Sequence, residues 1–219
     1  WMPKEKIKSI GKSNLVSNIL CTTHNSALSD LDSGVAEFVS FMSEIDKNLQ
    51  LSSPIGKSYS IEGRMIEQWL LKTTIGLIES ENIKQKNGQR YIYNNKCIDL
   101  LCEPRKRWPI GWGLYVSTPS SKIHHSKSFE LVPKYNQETG EMLAVGVRFN
   151  GFEMHLCLGN PDRPESFGFH RPTNLVFKKD DVISNIEISW PMKTKANSIE
   201  FTQVGTYKGV APGHDLERA

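Results

Sequence analysis

Apolar side chains in this chain recur every three or four positions up to about residue 80 and every second position past Gly113. That change of period limits the fold more than any other feature, because a 3.6-residue repeat demands helices and a two-residue repeat demands strands. Leu28, Leu31, Val35, Phe38, Met42, Ile45 and Leu49 form one stripe, which predicts an amphipathic helix from Ala27 to about Gln50. Ser29-x-x-Asp32 resembles a capping box at its start. Gly34 inside the stripe costs about 1 kcal/mol relative to Ala, which implies close packing there. Ser52-Ser53-Pro54-Ile55-Gly56 ends the element.

A second helix is expected from about Ile61 to Glu79, capped by Ser58 or Ser60. Ile61, Met65, Ile66, Trp69, Thr73 and Leu77 fall on its buried side, and Arg64, Glu67 and Lys72 on the solvated one. Two antiparallel helices joined by a short turn bury their stripes against each other. Asn87-Gly88 then predicts a turn, followed by a short strand at Tyr91-Ile92-Tyr93.

With the domain boundary placed at residue 111, strands are expected at Gly113–Thr118, Phe129–Tyr135, Leu175–Lys178, Ile186–Trp190 and Ile199–Gln203. Asn150-Gly151 signals a two-residue type I′ hairpin turn. It pairs Phe149 with Phe152, Val147 with Met154, Val145 with Leu156 and Leu143 with Leu158 on one face. Arg148–Glu153, Gly146–His155 and Ala144–Cys157 then share the opposite, polar or lightly covered face. The last dozen residues read as a loose tail. The expected class is α+β: residues 1–110 as a small first lobe plus an antiparallel helical pair, and 111–219 as an antiparallel β-sheet or sandwich domain.

Composition narrows function by exclusion. Twenty-seven Lys and Arg against 24 Asp and Glu give a net charge of +3, so nucleic-acid affinity has to come from local patches. The four cysteines, Cys21, Cys97, Cys102 and Cys157, lack the short regular spacing of a disulfide framework and point to a reducing compartment. No apolar run approaches membrane-spanning length and no leader pattern opens the chain, so a cytoplasmic location without membrane contact is expected.

Chemistry concentrates between Asn14 and Asp32. Cys21 and His24 stand three apart at the end of a short apolar run, where a tight turn aims a thiolate and an imidazole at one point. That is half of a tetrahedral zinc site. Asn25 follows at the mouth of the first helix, where its amide oxygen either caps free N–H groups or binds a hard divalent cation. A buried Cys beside an N-cap Asn accounts for the same residues without any metal.

Leu20-Cys21-x-x-His24-Asn25, with Asn14-Leu15 before it and a helix after it, resembles the second half of the HNH, or ββα-metal, endonuclease motif in its zinc-bearing form. The resemblance implies that Cys21 and His24 are ligands of a structural zinc and that Asn25 ligates a catalytic Mg2+-like cation. Asn14 or Asn18 would be the middle Asn. His24 stands where the family usually has a second Cys, and the general-base His of a first His-x-x-Pro strand has no counterpart. Related bacterial sequences tend to read Glu-His-x-x-Pro-x-Trp, so Trp1-Met2 resembles the end of that strand, with the base and an upstream Cys pair expected before it. The likeness continues through Ser60-Ile61-Glu62-Gly63-Arg64, Glu67-x-Trp69-Leu70-Leu71-Lys72-Thr73 and Trp108-Pro109-x-Gly111-Trp112-Gly113-Leu114-Tyr115. That longer likeness covers roughly the first half and carries no activity with it; the HNH-type motif implies a metal-dependent nuclease, a role in bacterial defence being one setting.

Lys4, Lys6, Lys8 and Lys12 make a basic approach to the motif that either touches phosphates or is simply solvated. Cys97 and Cys102 could complete a zinc site, or be small buried thiols. Arg105, Lys106, Arg107 and Trp108 interleave cations with an aromatic ring, as a single-strand-binding surface does, although Trp108 and Trp112 among Pro and Gly also fit a packed corner. His124 and His125 are adjacent, so on a regular strand they face opposite ways and do not share an ion. The alternative to a nuclease is a non-catalytic binding or assembly protein, with a degenerate zinc lobe and a β-rich surface for a protein partner.

Overall fold

The computed structural model describes residues 28–51, 55–85, 87–103, 106–117, 122–125, 129–149, 152–159, 163–191 and 196–206. These form an α+β fold of three helices and two five-stranded sheets. Helix α1 spans Ser29–Leu49 and buries Val35, Phe38, Met42, Ile45, Asn48 and Leu49, which is the expected stripe with one amide added. Each such apolar side chain contributes roughly 1.5–3 kcal/mol by leaving water. Among the described residues no side chain caps the helix start at the N-cap position, Leu28. Asp32, expected in a capping box, instead accepts from Lys72 Nζ at 2.7 Å, and the same ammonium donates to the carbonyl of Leu28 at 3.3 Å.

Ser58–Glu62 is strand β1, with Ile61 buried between exposed Ser60 and Glu62, and only then does helix α2 run over Gly63–Glu79. Ser58 and Ser60 therefore pair in a sheet and do not cap. Gly34 of α1 lies against Met65 of α2, whose sulfur would be 1.8 Å from a Cβ at position 34. Contact between the two helices thus accounts for that glycine. Helix α3, Lys96–Cys102, closes on α2 from another side, where Gln68 Nε2 donates to the Leu100 carbonyl at 3.2 Å. In place of a strand at 91–93 there is a single bridge between Ile92 and Glu141.

The remaining strands are β2 (Gly113–Ser117), β3 (Lys122–His125), β4 (Phe129–Tyr135), β5 (Met142–Phe149), β6 (Phe152–Cys157), β7 (Phe169–His170), β8 (Asn174–Lys179), β9 (Val182–Ser189) and β10 (Ser198–Thr206). The second half was expected to be antiparallel, and one sheet is so throughout, in the order β4-β5-β6-β2-β7. The other sheet, β1-β9-β8-β10-β3, is mixed: β1 runs parallel to β9, and β10 parallel to both β8 and β3. Only β8 and β9 pair antiparallel in it, around a turn where Asp180 takes φ 51°.

The β5–β6 register is the one expected, from Phe149↔Phe152 to Ala144↔Cys157, with the Leu158 amide donating to the Leu143 carbonyl at 2.8 Å. The turn at 150–151 lies outside the described residues. Phe152 of the antiparallel sheet meets Phe177 and Phe201 of the mixed sheet edge-on, with centroids at 6.0 and 5.0 Å. Residues from both sides of position 111, where a domain boundary was expected, share one sheet and one core. β1 is a strand of the mixed sheet, and one apolar cluster joins Phe38, Leu70 and Leu100 to Leu114, Phe152 and Phe201.

Candidate functional site

Helix α2 was expected to show one solvated face, and the structure corrects this. Arg64 is 7% exposed and Glu67 0%, because α1, α3 and both sheets surround the helix. Glu67 Oε1 accepts from the Leu114 amide at 2.9 Å and from Arg171 Nη2 at 2.5 Å. Arg64 Nη1 lies 3.8 Å from Oε2. The Arg64 guanidinium donates through Nη2 to the Lys106 carbonyl and covers the Trp108 ring at 5.4 Å. Arg171 lies on the Trp190 ring at 4.1 Å, and Trp190 Nε1 donates to the Pro172 carbonyl at 2.7 Å.

Two backbone details make this convergence possible. Gly113 opens β2 with φ 127°, a conformation L side chains avoid, and a Cβ there would sit 2.6 Å from Glu67 Oε1. At the start of α2, a Cβ on Gly63 would lie 2.4 Å from the Trp190 ring. Small residues therefore let β2 and β9 close on the carboxylate.

Electrostatically the centre is unbalanced, with two guanidiniums around one carboxylate. Burial raises Glu67 to about 6 against the downward pull of Arg171, the Leu114 amide and Arg64. Burial also draws Arg64 below its usual value, which Glu67 counteracts. Among the described residues, four buried side-chain atoms lack a hydrogen-bond partner, and three belong here: Glu67 Oε2, Arg171 Nε and Trp108 Nε1. Natural interiors rarely tolerate such atoms, so their clustering marks this junction as the most strained polar centre of the described fold.

A second cluster lies on the outer face of the antiparallel sheet. His155 is 3% exposed, with Lys134 Nζ 3.4 Å from Nδ1 and Glu153 Oε1 3.3 Å from Nε2. An ammonium only donates, so Nδ1 is the accepting nitrogen and Nε2 carries the hydrogen toward Glu153. Burial first, then Lys134, lowers His155 to about 4. Tyr115 and Cys157 flank it on the same face and are buried, which raises them to about 12 and 11. The face is thus more deeply covered than the alternation implied. With the imidazole neutral and the thiol protonated, it is inert as a nucleophilic pair.

Asn14, Asn18, Cys21, His24, Asn25 and Arg105 lie outside the described residues. Chemically, a thiolate and an imidazole suit zinc but make two of the four ligands of a closed site, and an amide oxygen suits a hard cation. Cys97 is buried, with its thiol pushed up to about 12, whereas Cys102 is exposed. Five residues apart on α3, they point about 140° away from each other. Among the described residues, no three His, Cys, Asp or Glu side chains group closely enough to hold a metal. Lys106 is paired to Asp99 at 2.8 Å and Glu103 at 3.1 Å, Arg107 is exposed, and one partner of the Trp108 ring is the chain's own Arg64.

His124 and His125 occupy neighbouring positions of β3. No helix among the described residues is long and apolar enough to cross a membrane. No family model, curated protein or solved structure matches this chain.

The Glu67 junction left a faint trace in the sequence. Arg64 and Glu67 share their side of the helix with Leu71, Ile75 and Ile78, while Ile66, Leu70 and Leu77 lie on the side expected to be buried, so apolar residues occur on both. A helix apolar on every side is buried on every side, its charges included.

Proposed function

We propose that this chain belongs to a metal-dependent, nucleic-acid-directed endonuclease of HNH type, acting by phosphodiester hydrolysis. The observation that carries the reading is the start of α1. A 21-residue helix begins at Ser29, four positions after Asn25, and Lys72 of α2 braces its first turn through the Leu28 carbonyl and Asp32. A ββα-metal lobe needs such a fixed helix directly after its cation-binding Asn or His. In this reading Cys21 and His24 hold a structural zinc, Asn25 and Asn14 serve the catalytic cation, and exposed Arg107 contacts a phosphate. A bound divalent cation would stabilise the charge that builds on the scissile phosphate and the leaving oxygen.

No His-x-x-Pro occurs in the 219 residues, so the test uses the full-length natural protein. The expected result is bound zinc, lowered by Cys21→Ser, and divalent-cation-dependent nicking of DNA or RNA that Asn25→Ala abolishes. A protein without zinc that cuts no member of a broad substrate panel refutes the proposal. Salt-tolerant capture of a protein, with no nicking, would move the chain to the class of non-catalytic assembly proteins.

A further inference from the structure

The connection between the two sheets passes directly over the Glu67 carboxylate. Arg171 lies between β7, the edge strand of the antiparallel sheet, and β8, a central strand of the mixed one. Its one polar side-chain partner among the described residues is Glu67, and its guanidinium also stacks on Trp190. Arg64 is held differently, through the Lys106 carbonyl and the Trp108 face, so it keeps both when Glu67 changes charge. Arg171 keeps the Trp190 face but, among the described residues, donates to no backbone carbonyl as Arg64 does, and its side chain is 23% exposed, which gives it a route to water.

We propose that Glu67 is a proton-operated latch: ionised, it fastens Arg171 and with it the β7–β8 connection to helix α2, and protonated, while still buried, it releases Arg171. Oε2 already lacks a partner, so the incoming proton displaces no hydrogen bond there. What it removes is the charge that attracts Arg171 across 2.5 Å and strengthens the Leu114 contact. The groups that set the latch are Arg64 from the start of α2, Glu62 at the end of β1, which acts on Arg64, Arg171 from the connection, and Tyr115 from β2. Glu165, on the 3-10 turn Pro164–Phe167, acts at one remove through Tyr115. The elevated value of Glu67, about 6, places the release in a range that cells reach.

Trp190 reports the event because Arg171 rests on its ring. The experiment follows tryptophan emission of the whole chain from pH 5 to 8, with Trp190→Phe subtracted to isolate that ring. A one-proton transition with a midpoint near pH 6 is expected, absent in Glu67→Gln. Amide exchange of the unmodified protein, corrected for intrinsic rates, supplies a readout that needs no variant. Because the folded chain holds the Glu67 proton more tightly than an opened one does, protection of Leu114 should hold or rise between pH 7.5 and 5, as should that of the Ile75 and Leu77 amides of α2, while Trp190 responds. A fall in Leu114 protection on acidification, or a Trp190 transition that persists in Glu67→Gln, overturns the proposal.

Discussion

The Glu67 carboxylate and the Arg171 guanidinium, 104 positions apart in the chain, meet at 2.5 Å with the carboxylate wholly out of water. A buried pair of this kind adds less net stability than its Coulomb attraction suggests, because both ions lose their hydration. Its consequence is geometric: removing either partner strands the other, so the pair fixes how the sheets meet the helix.

Gly113 tests that geometry from the strand side. Gly113→Ala adds a Cβ 2.6 Å from Glu67 Oε1 and 3.1 Å from Arg171 Nη1 at a φ of 127°. Strain and steric displacement together should cost on the order of 3 kcal/mol. Urea denaturation measures it. A loss below about 0.5 kcal/mol would mean that β2 does not approach the carboxylate so closely.

Acid should act on this fold through two opposed groups. Glu67 is raised from 4.5 to about 6, so the folded chain binds its proton more tightly than the unfolded chain does. Its contribution to stability is fully present below pH 4.5 and is lost as pH rises through 6. His155 is lowered from 6.5 to about 4, so the unfolded chain binds that proton more tightly and stability is lost as pH falls from 6.5 through 4. At about 1.4 kcal/mol per unit, the first effect is on the order of 2 kcal/mol and the second on the order of 3. Denaturation midpoints between pH 4 and 7.5 should therefore fall less steeply on acidification in His155→Asn and more steeply in Glu67→Gln. Parallel profiles for both variants and the parent would remove these groups from the account.

Gly34 and Met65 should behave as a coupled pair. Gly34→Ala gains about 1 kcal/mol of helix propensity but drives a Cβ into the Met65 side chain, an overpacking cost of about 1–3 kcal/mol. We expect the single substitution to destabilise and the same change in a Met65→Ala background to stabilise. A double-mutant cycle decides it, additivity being the adverse result.

Lys72→Met removes the brace at the start of α1 while keeping much of the apolar stem. The Asp32 end of the pair is 57% exposed, so a loss of only about 1 kcal/mol is expected. Faster amide exchange in the first turn of α1, with later turns unchanged, is the local signature. Under the nuclease proposal, zinc affinity should weaken in step with that fraying.

Periodicity determined much of this fold by itself. The stripe from Leu28 to Leu49, the limits of β4 and the Phe149↔Phe152 register follow from local spacing, because neighbours in sequence share a face of a helix or strand. The Cys21, His24 and Asn25 motif was equally legible as chemistry. Tertiary structure alone decided the parallel partner of β1, where Ser58 bonds to Asn185 127 positions away, and the mixed sheet that follows from it. It also decided that Arg64 and Glu67 are interior residues. A charged pair on a helix reads as solvated until other elements close around it, and the arginine that completes the pair leaves no periodic signal at such separation.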